Sequence, residues 1–194
     1  RHQGGRQGRT SWQGGEGREG IETIDTPDFE AARRLSPRAI AVARARLGRS
    51  LATDRGGERV SGIIVETEAY LGVHDPSSHA WSGRRHRSYL GIYAPPDTWY
   101  VYLSYGLHWC LNLTAPTDND GGAVLIRAVL PTGGIDVIRR RRGAVADRHL
   151  VNGPGKVGQA FAVTGAEDGM PATDESTLRL LPLERRTRRT IDVS

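Results

Sequence analysis

The run Val60-Ser-Gly-Ile-Ile-Val-Glu-Thr-Glu-Ala-Tyr70 constrains this chain more than any other segment. It opens apolar and closes with acidic and aromatic residues alternating. In a strand, successive side chains point to opposite faces, so Glu66, Glu68 and Tyr70 share one face, with Val65, Thr67 and Ala69 on the other. A carboxylate at the end of a buried strand costs free energy unless a partner pairs with it or chemistry uses it. Beside an aromatic wall, such a carboxylate suits water chemistry on a flat ligand. The plainer reading is that both glutamates are solvent-facing strand residues with surface partners.

The 194 residues are enough for one domain with a real core. No run approaches the ~18 apolar residues of a membrane span, and no charged-then-apolar leader opens the sequence. With Arg1 first and Met170 the only methionine, a fragment or processed chain is expected. The single cysteine, Cys110, excludes an internal disulfide framework and a multi-cysteine metal site, and a reducing, intracellular setting is expected. Basic residues outnumber acidic ones 27 to 22, and Lys156 is the only lysine. Arginine grips phosphate in a bidentate way that lysine does not, so a polyanionic partner fits this composition.

Residues Arg1 to Gly20, rich in Gly, Arg and Gln, read as a disordered basic tail, and residues 21–194 as one domain. Ser36-Pro37 is a helix start, Ile40, Ala43 and Leu47 recur at helical spacing, and Gly48 ends the helix. Trp99 to Tyr105 is a strand, Gly106 turns the chain, and Leu107 to Asn112 returns, giving a hairpin with Tyr105 near its tip. A further strand is expected over Ala123 to Leu130, and short helices over Ile135 to Arg142 and Gly155 to Val163. The expected fold is a single α+β domain with a mixed, mostly antiparallel sheet and surrounding helices.

Five constellations invite a chemical reading. Glu68 is a candidate general base, with Glu66 a second acid group. His74, Asp75 and His79 invite a metal reading, but Pro76 and two serines make that stretch a loop without helical His-x-x-x-His geometry. Tyr100 reads as an ordinary sheet aromatic. Tyr105, at a tip with little core to join, suggests insertion into something such as a base stack. Arg139 to Arg142 is either a solvated helix end or a phosphate contact. Asn152-Gly-Pro-Gly-Lys156 lacks the spacing of a phosphate loop and reads as a turn entering a helix whose N-terminus suits an anion.

Five motifs in order carry a resemblance: Val60 to Gly72; Asp75 with Ser78-His-Ala80; Tyr100 to Asn112; Val124-Leu-Ile-Arg-Ala128; and Asn152 to Lys156. Across Ala31 to Leu183 the chain resembles the alkyladenine (3-methyladenine) DNA glycosylases. The resemblance implies a base-excision repair enzyme that flips an alkylated or deaminated purine out of double-stranded DNA. It implies that Glu68 activates the attacking water and that Arg127 helps place it. Tyr70, His79 and Tyr102 are implied to sandwich the base, Asn112 to disfavour the exocyclic amino group of guanine, and Tyr105 to fill the vacated space from a protruding hairpin. No cofactor, metal or membrane is implied, and a monomer is expected, in the cytoplasm or nucleoid if bacterial and the nucleus if eukaryotic.

The chain departs from the family pattern at Gly83-Arg-Arg-His-Arg-Ser88 and at Gly91-Ile-Tyr-Ala-Pro-Pro-Asp97, where Asp97 replaces a glycine. The usual closing segment is only echoed in Thr187 to Val193, so a truncated C-terminal end is expected. These departures motivate a second hypothesis, a non-catalytic damaged-DNA binder. A third is a metal-dependent hydrolase using Glu66, Glu68, His74 and His79.

Overall fold

The structure, a computed structural model, describes residues 37–115, 120–173 and 175–182. The N-terminal tail expected over residues 1–20, the Ser36 cap and the altered C-terminal ending lie outside the described residues. Helix α1 (Pro37–Arg46) leads into β1 (Ser50–Arg55) and β2 (Glu58–Tyr70). Residues 71–98 then cross the molecule in short 3-10 turns, including Arg87–Tyr93. The hairpin β3 (Trp99–Ser104) and β4 (His108–Thr114) follows, then β5 (Ala123–Gly133), α2 (Ile135–Arg142), α3 (Pro154–Ala160) and β6 (Leu178–Leu181).

The six strands form one sheet in the order β3-β4-β5-β2-β1-β6. The fold is α+β as expected, and the sheet, expected to be mostly antiparallel, is antiparallel at every described pairing. The short β1–β2 and β3–β4 turns allow only antiparallel neighbours. Strands β1 and β6 were not anticipated from sequence. Among the described residues no helix is long and apolar enough to cross a membrane.

Strand alternation divides the aromatic residues between the two faces of the sheet. On β3, Trp99 and Val101 enter the main core, which continues through Leu111, Leu113 and Ile126 to Ile138 of α2 and Val157 of α3. The buried Trp99 indole donates from Nε1 to the Leu178 carbonyl at 3.0 Å. Tyr100 and Tyr102 point the other way, into a smaller cluster with Ala80, Ile92, Tyr89 and Ala123.

Between β2 and β5 the ladder slips by one residue after Ile64 and slips back before Thr67. Val65 and Arg127 are each left without a ladder partner. This changes which residues face the core. Val60 and Ile64 are buried in it, and uninterrupted alternation would send Glu66 and Glu68 after them. Instead Thr67 turns towards α1, its hydroxyl donating to the Ala43 carbonyl at 3.1 Å. On β5 the core-facing set switches from Val129 to Ile126. The charged residues therefore project from the opposite face.

Candidate active site

On that face, Arg127 spans two carboxylates. Its Nη1 donates to Glu68 Oε2 at 2.6 Å and its Nε to Glu66 Oε1 at 3.1 Å. The bond to Glu68 is the main cause holding the Arg127 pKa above its usual value. All three side chains remain part-exposed, so water reaches the cluster. Tyr70, two residues beyond Glu68, has its phenol pKa raised by burial first and then by a hydrogen bond to the Glu68 carboxylate. Glu68 is thus bonded to the Arg127 cation and lies near the Tyr70 phenol.

Tyr70 also lines a cavity of about 500 Å³ walled by His79, Tyr89, Tyr100, Tyr102 and Asn112, with Tyr105 at its margin. Glu68 and Arg127 lie outside its lining and meet it through Tyr70. His79 is fixed on three sides. Its Nδ1 is 2.7 Å from the Tyr100 hydroxyl, Tyr102 meets it edge-on at 4.5 Å between ring centroids, and Tyr89 stacks on it at 4.0 Å and 13°. Burial lowers the His79 pKa, favouring the neutral imidazole. Both phenols of Tyr100 and Tyr102 are raised, chiefly by burial, and stay protonated. Asn112, buried on β4, gives its amide nitrogen to the backbone carbonyls of Tyr100 and Cys110, leaving its side-chain oxygen as the free polar atom.

The hairpin turn places Tyr105 97% exposed with φ +49°, followed by Gly106 at φ +70°. Two consecutive positive φ values are what an I′ hairpin requires, and a tyrosine adopts the first of them only at a cost. The Leu107 N–H donates to the Ser104 carbonyl at 2.9 Å and closes the turn.

Other expectations fare differently. The Asp75 carboxylate accepts hydrogen bonds from the backbone N–H groups of Leu71 and Ser77 and from the Ser77 hydroxyl, so it ties its own loop. No group of three His, Cys, Asp or Glu converges among the described residues. The Arg139–Arg142 run is engaged within the fold. Arg139 binds Asp136 and Asp147, and Arg140 and Arg141 bind Glu58. Arg142 binds the Leu150 carbonyl and Gln159. Asp97 adopts φ +60°, a conformation that favours glycine, and its charge is met by Arg46.

Sequence reasoning missed Tyr89 as a pocket residue and took Tyr100 as a sheet aromatic only. Tyr100 was recoverable, because it shares a strand face with Tyr102. Tyr89 was not, because it sits on an irregular segment without periodicity.

The profile of the family described as methylpurine-DNA glycosylase matches residues 33–194. The chain belongs to this family. It is 48% identical over 123 residues to a protein of Rhizobium meliloti (strain 1021), covering 63% of this chain and 64% of that one. It is 44% identical over 146 residues to one from Agrobacterium fabrum, covering 75% and 71%. With a protein of Nitrosospira multiformis the identity is 41% over 148 residues, covering 76% and 73%. All three carry the provisional name 3-methyladenine DNA glycosylase. The match thus spans just under two thirds of the first of these relatives and somewhat more of the other two.

Proposed function

We propose that this protein is a monofunctional DNA glycosylase that hydrolyses the N-glycosidic bond of alkylated or deaminated purines and leaves an abasic site. The observation that carries the reading is the Glu68 carboxylate, held between Arg127 and Tyr70 at the edge of an aromatic cavity. A base inside a duplex is out of reach, so it must be extruded, and damaged or mispaired bases cost least to extrude. Tyr105 enters the vacated space, and the flipped purine stacks between Tyr70 and the His79–Tyr102 wall. Asn112 screens against the amino group of normal guanine.

Glu68, as carboxylate, takes a proton from a water that Arg127 helps to place. The water oxygen bonds to C1′ of the deoxyribose, and the N-glycosidic bond breaks with its electron pair leaving on the base. The oxocarbenium-like transition state is stabilised by the charge of Glu68. The one lysine, Lys156, is engaged with Asn152, which supports a product released without Schiff-base strand cleavage. One chain carries the full set of groups, consistent with action as a monomer on double-stranded DNA.

The test is base release from duplexes carrying 3-methyladenine, 7-methylguanine, hypoxanthine or ethenoadenine. Glu68→Gln should abolish release while binding to the lesion persists. Full activity in that variant would remove Glu68 from the mechanism. Lesion-selective binding by the wild type without release would instead mark a non-catalytic binder.

A further inference from the structure

We propose that Glu66 is a positioning residue: it occupies the Nε–H of Arg127, so that the guanidinium engages Glu68 through one oxygen and leaves the other out of the ion pair. The inference deepens the proposed function and rests on the reading that Glu68 activates a water which Arg127 helps to place.

The irregular ladder sets the geometry. Glu66 pairs with Ala128 and Thr67 with Ile126, so Arg127 is the extra residue of β5 between those two partners. An extra residue of this kind re-aims its side chain. Arg127 meets both glutamates, each with a different nitrogen. Nε donates to Glu66 Oε1 at 3.1 Å, and Nη1 donates to Glu68 Oε2 at 2.6 Å. Nη2 makes no hydrogen bond among the described residues.

Arginine and a carboxylate favour two parallel hydrogen bonds. The parallel pair that uses Nε is closed to Glu68, because Glu66 holds that nitrogen. Reaching Glu68 through Nη1 and Nη2 together means turning the guanidinium, which the bond to Glu66 resists. Without Glu66, Arg127 is free to close on both oxygens of Glu68. A carboxylate tied at both oxygens is a poorer acceptor for the proton of the attacking water.

Stability is a weak reason for the Glu66–Arg127 bond. The Glu66 side chain is 58% exposed and that of Arg127 38%, and an ion pair this open adds little to the folded state. Replacing Glu66 therefore leaves a folded protein in which the orientation of Arg127 is changed.

The experiment measures single-turnover release, at saturating protein, of whichever of the four lesion bases above the wild type excises fastest. Binding of the same duplex and the melting temperature are measured in parallel. Glu66→Ala should slow release about tenfold, short of the ~100-fold that a full ångström of misplacement can cost. Binding should not weaken, because a negative charge facing a polyanion is removed. Glu66→Gln keeps an acceptor oxygen for Nε and should recover most of the rate. In an Arg127→Ala background, Glu66→Ala should cause no further loss, since a positioning residue acts only through the group it positions. A wild-type rate in Glu66→Ala, a Glu66→Gln rate equal to that of Glu66→Ala, or an undiminished loss in the Arg127→Ala background would overturn the proposal. A wild type that releases none of the four bases, or full activity in Glu68→Gln, would defeat the underlying reading instead, and this inference with it.

Discussion

Arg127 reaches Glu68 across the β2–β5 pair at 2.6 Å and holds Glu66 with its second nitrogen. One guanidinium thus serves two carboxylates, of which one adjoins the pocket tyrosine and the other faces solvent. The planar guanidinium bridges the two carboxylates with one hydrogen bond to each, a fixed fork that a lysine at position 127 would not supply.

Arginines 84, 85 and 87 offer the free positive charge near the cavity. They are exposed, and the stretch from Ser77 to Pro96 contains no acidic residue. Arg85 lies over the Tyr93 ring at 4.2 Å, and Tyr93 in turn donates to the Arg84 carbonyl. Replacing all three by glutamine should lower the slope of log affinity for undamaged duplex against log salt by about 2 to 3. Arg140→Gln should leave that slope unchanged, because its guanidinium is engaged by Glu58. Fluorescence-anisotropy titrations at several salt concentrations check both.

Burial lowers the His79 pKa from 6.5, so the unfolded chain takes up this proton at a higher pH than the folded one. Between the depressed folded value and 6.5, the unfolded state binds more protons, and stability rises with pH. Above that window the residue is neutral in both states and the dependence ends. His79→Gln should remove this component, read as a melting temperature that rises less steeply with pH below 6.5 than in the wild type.

Tyr105 combines a left-handed backbone with an exposed ring, an arrangement that gives the free protein strain and no packing. Tyr105→Asn relieves that strain, because asparagine tolerates this conformation. The variant should be more stable by up to about 1 kcal/mol in denaturant unfolding. Its base release from duplex DNA should fall at least about tenfold if the ring inserts into the stack, each stacked base being worth roughly 1–3 kcal/mol.

Gly91→Ala places a methyl group against Asp168 and Tyr100. Overpacking of this kind costs typically about 1–3 kcal/mol. The denaturation midpoint should drop accordingly.

Much of this was legible in the sequence. The shared face of Glu66, Glu68 and Tyr70 follows from strand alternation, and Gly106 marks the hairpin. The basic end of α2 was visible too, but not its partners. Glu58, Asp147 and Gln159 are distant in sequence or in another element, and pairing over such separations leaves no periodic trace. β6 escaped for a similar reason, being a four-residue strand recognisable only by its pairing with β1. Tyr89 sits two residues before Gly91, whose packing against Tyr100 is a tertiary contact.

The slip between β2 and β5 behaves like two frameshifts of opposite sign. Val65 shifts one strand's reading frame by one and Arg127 shifts the other's, and past Thr67 the two strands run in phase again. Deleting either residue alone would put one strand out of frame and drive a charged side chain into the hydrocarbon interior. Deleting both would restore an even ladder and leave the glutamates on the solvent face, because Glu66 would then follow Ile64 directly. What keeps Glu68 in water is therefore the matching of the two offsets, each of which alone would bury a charge.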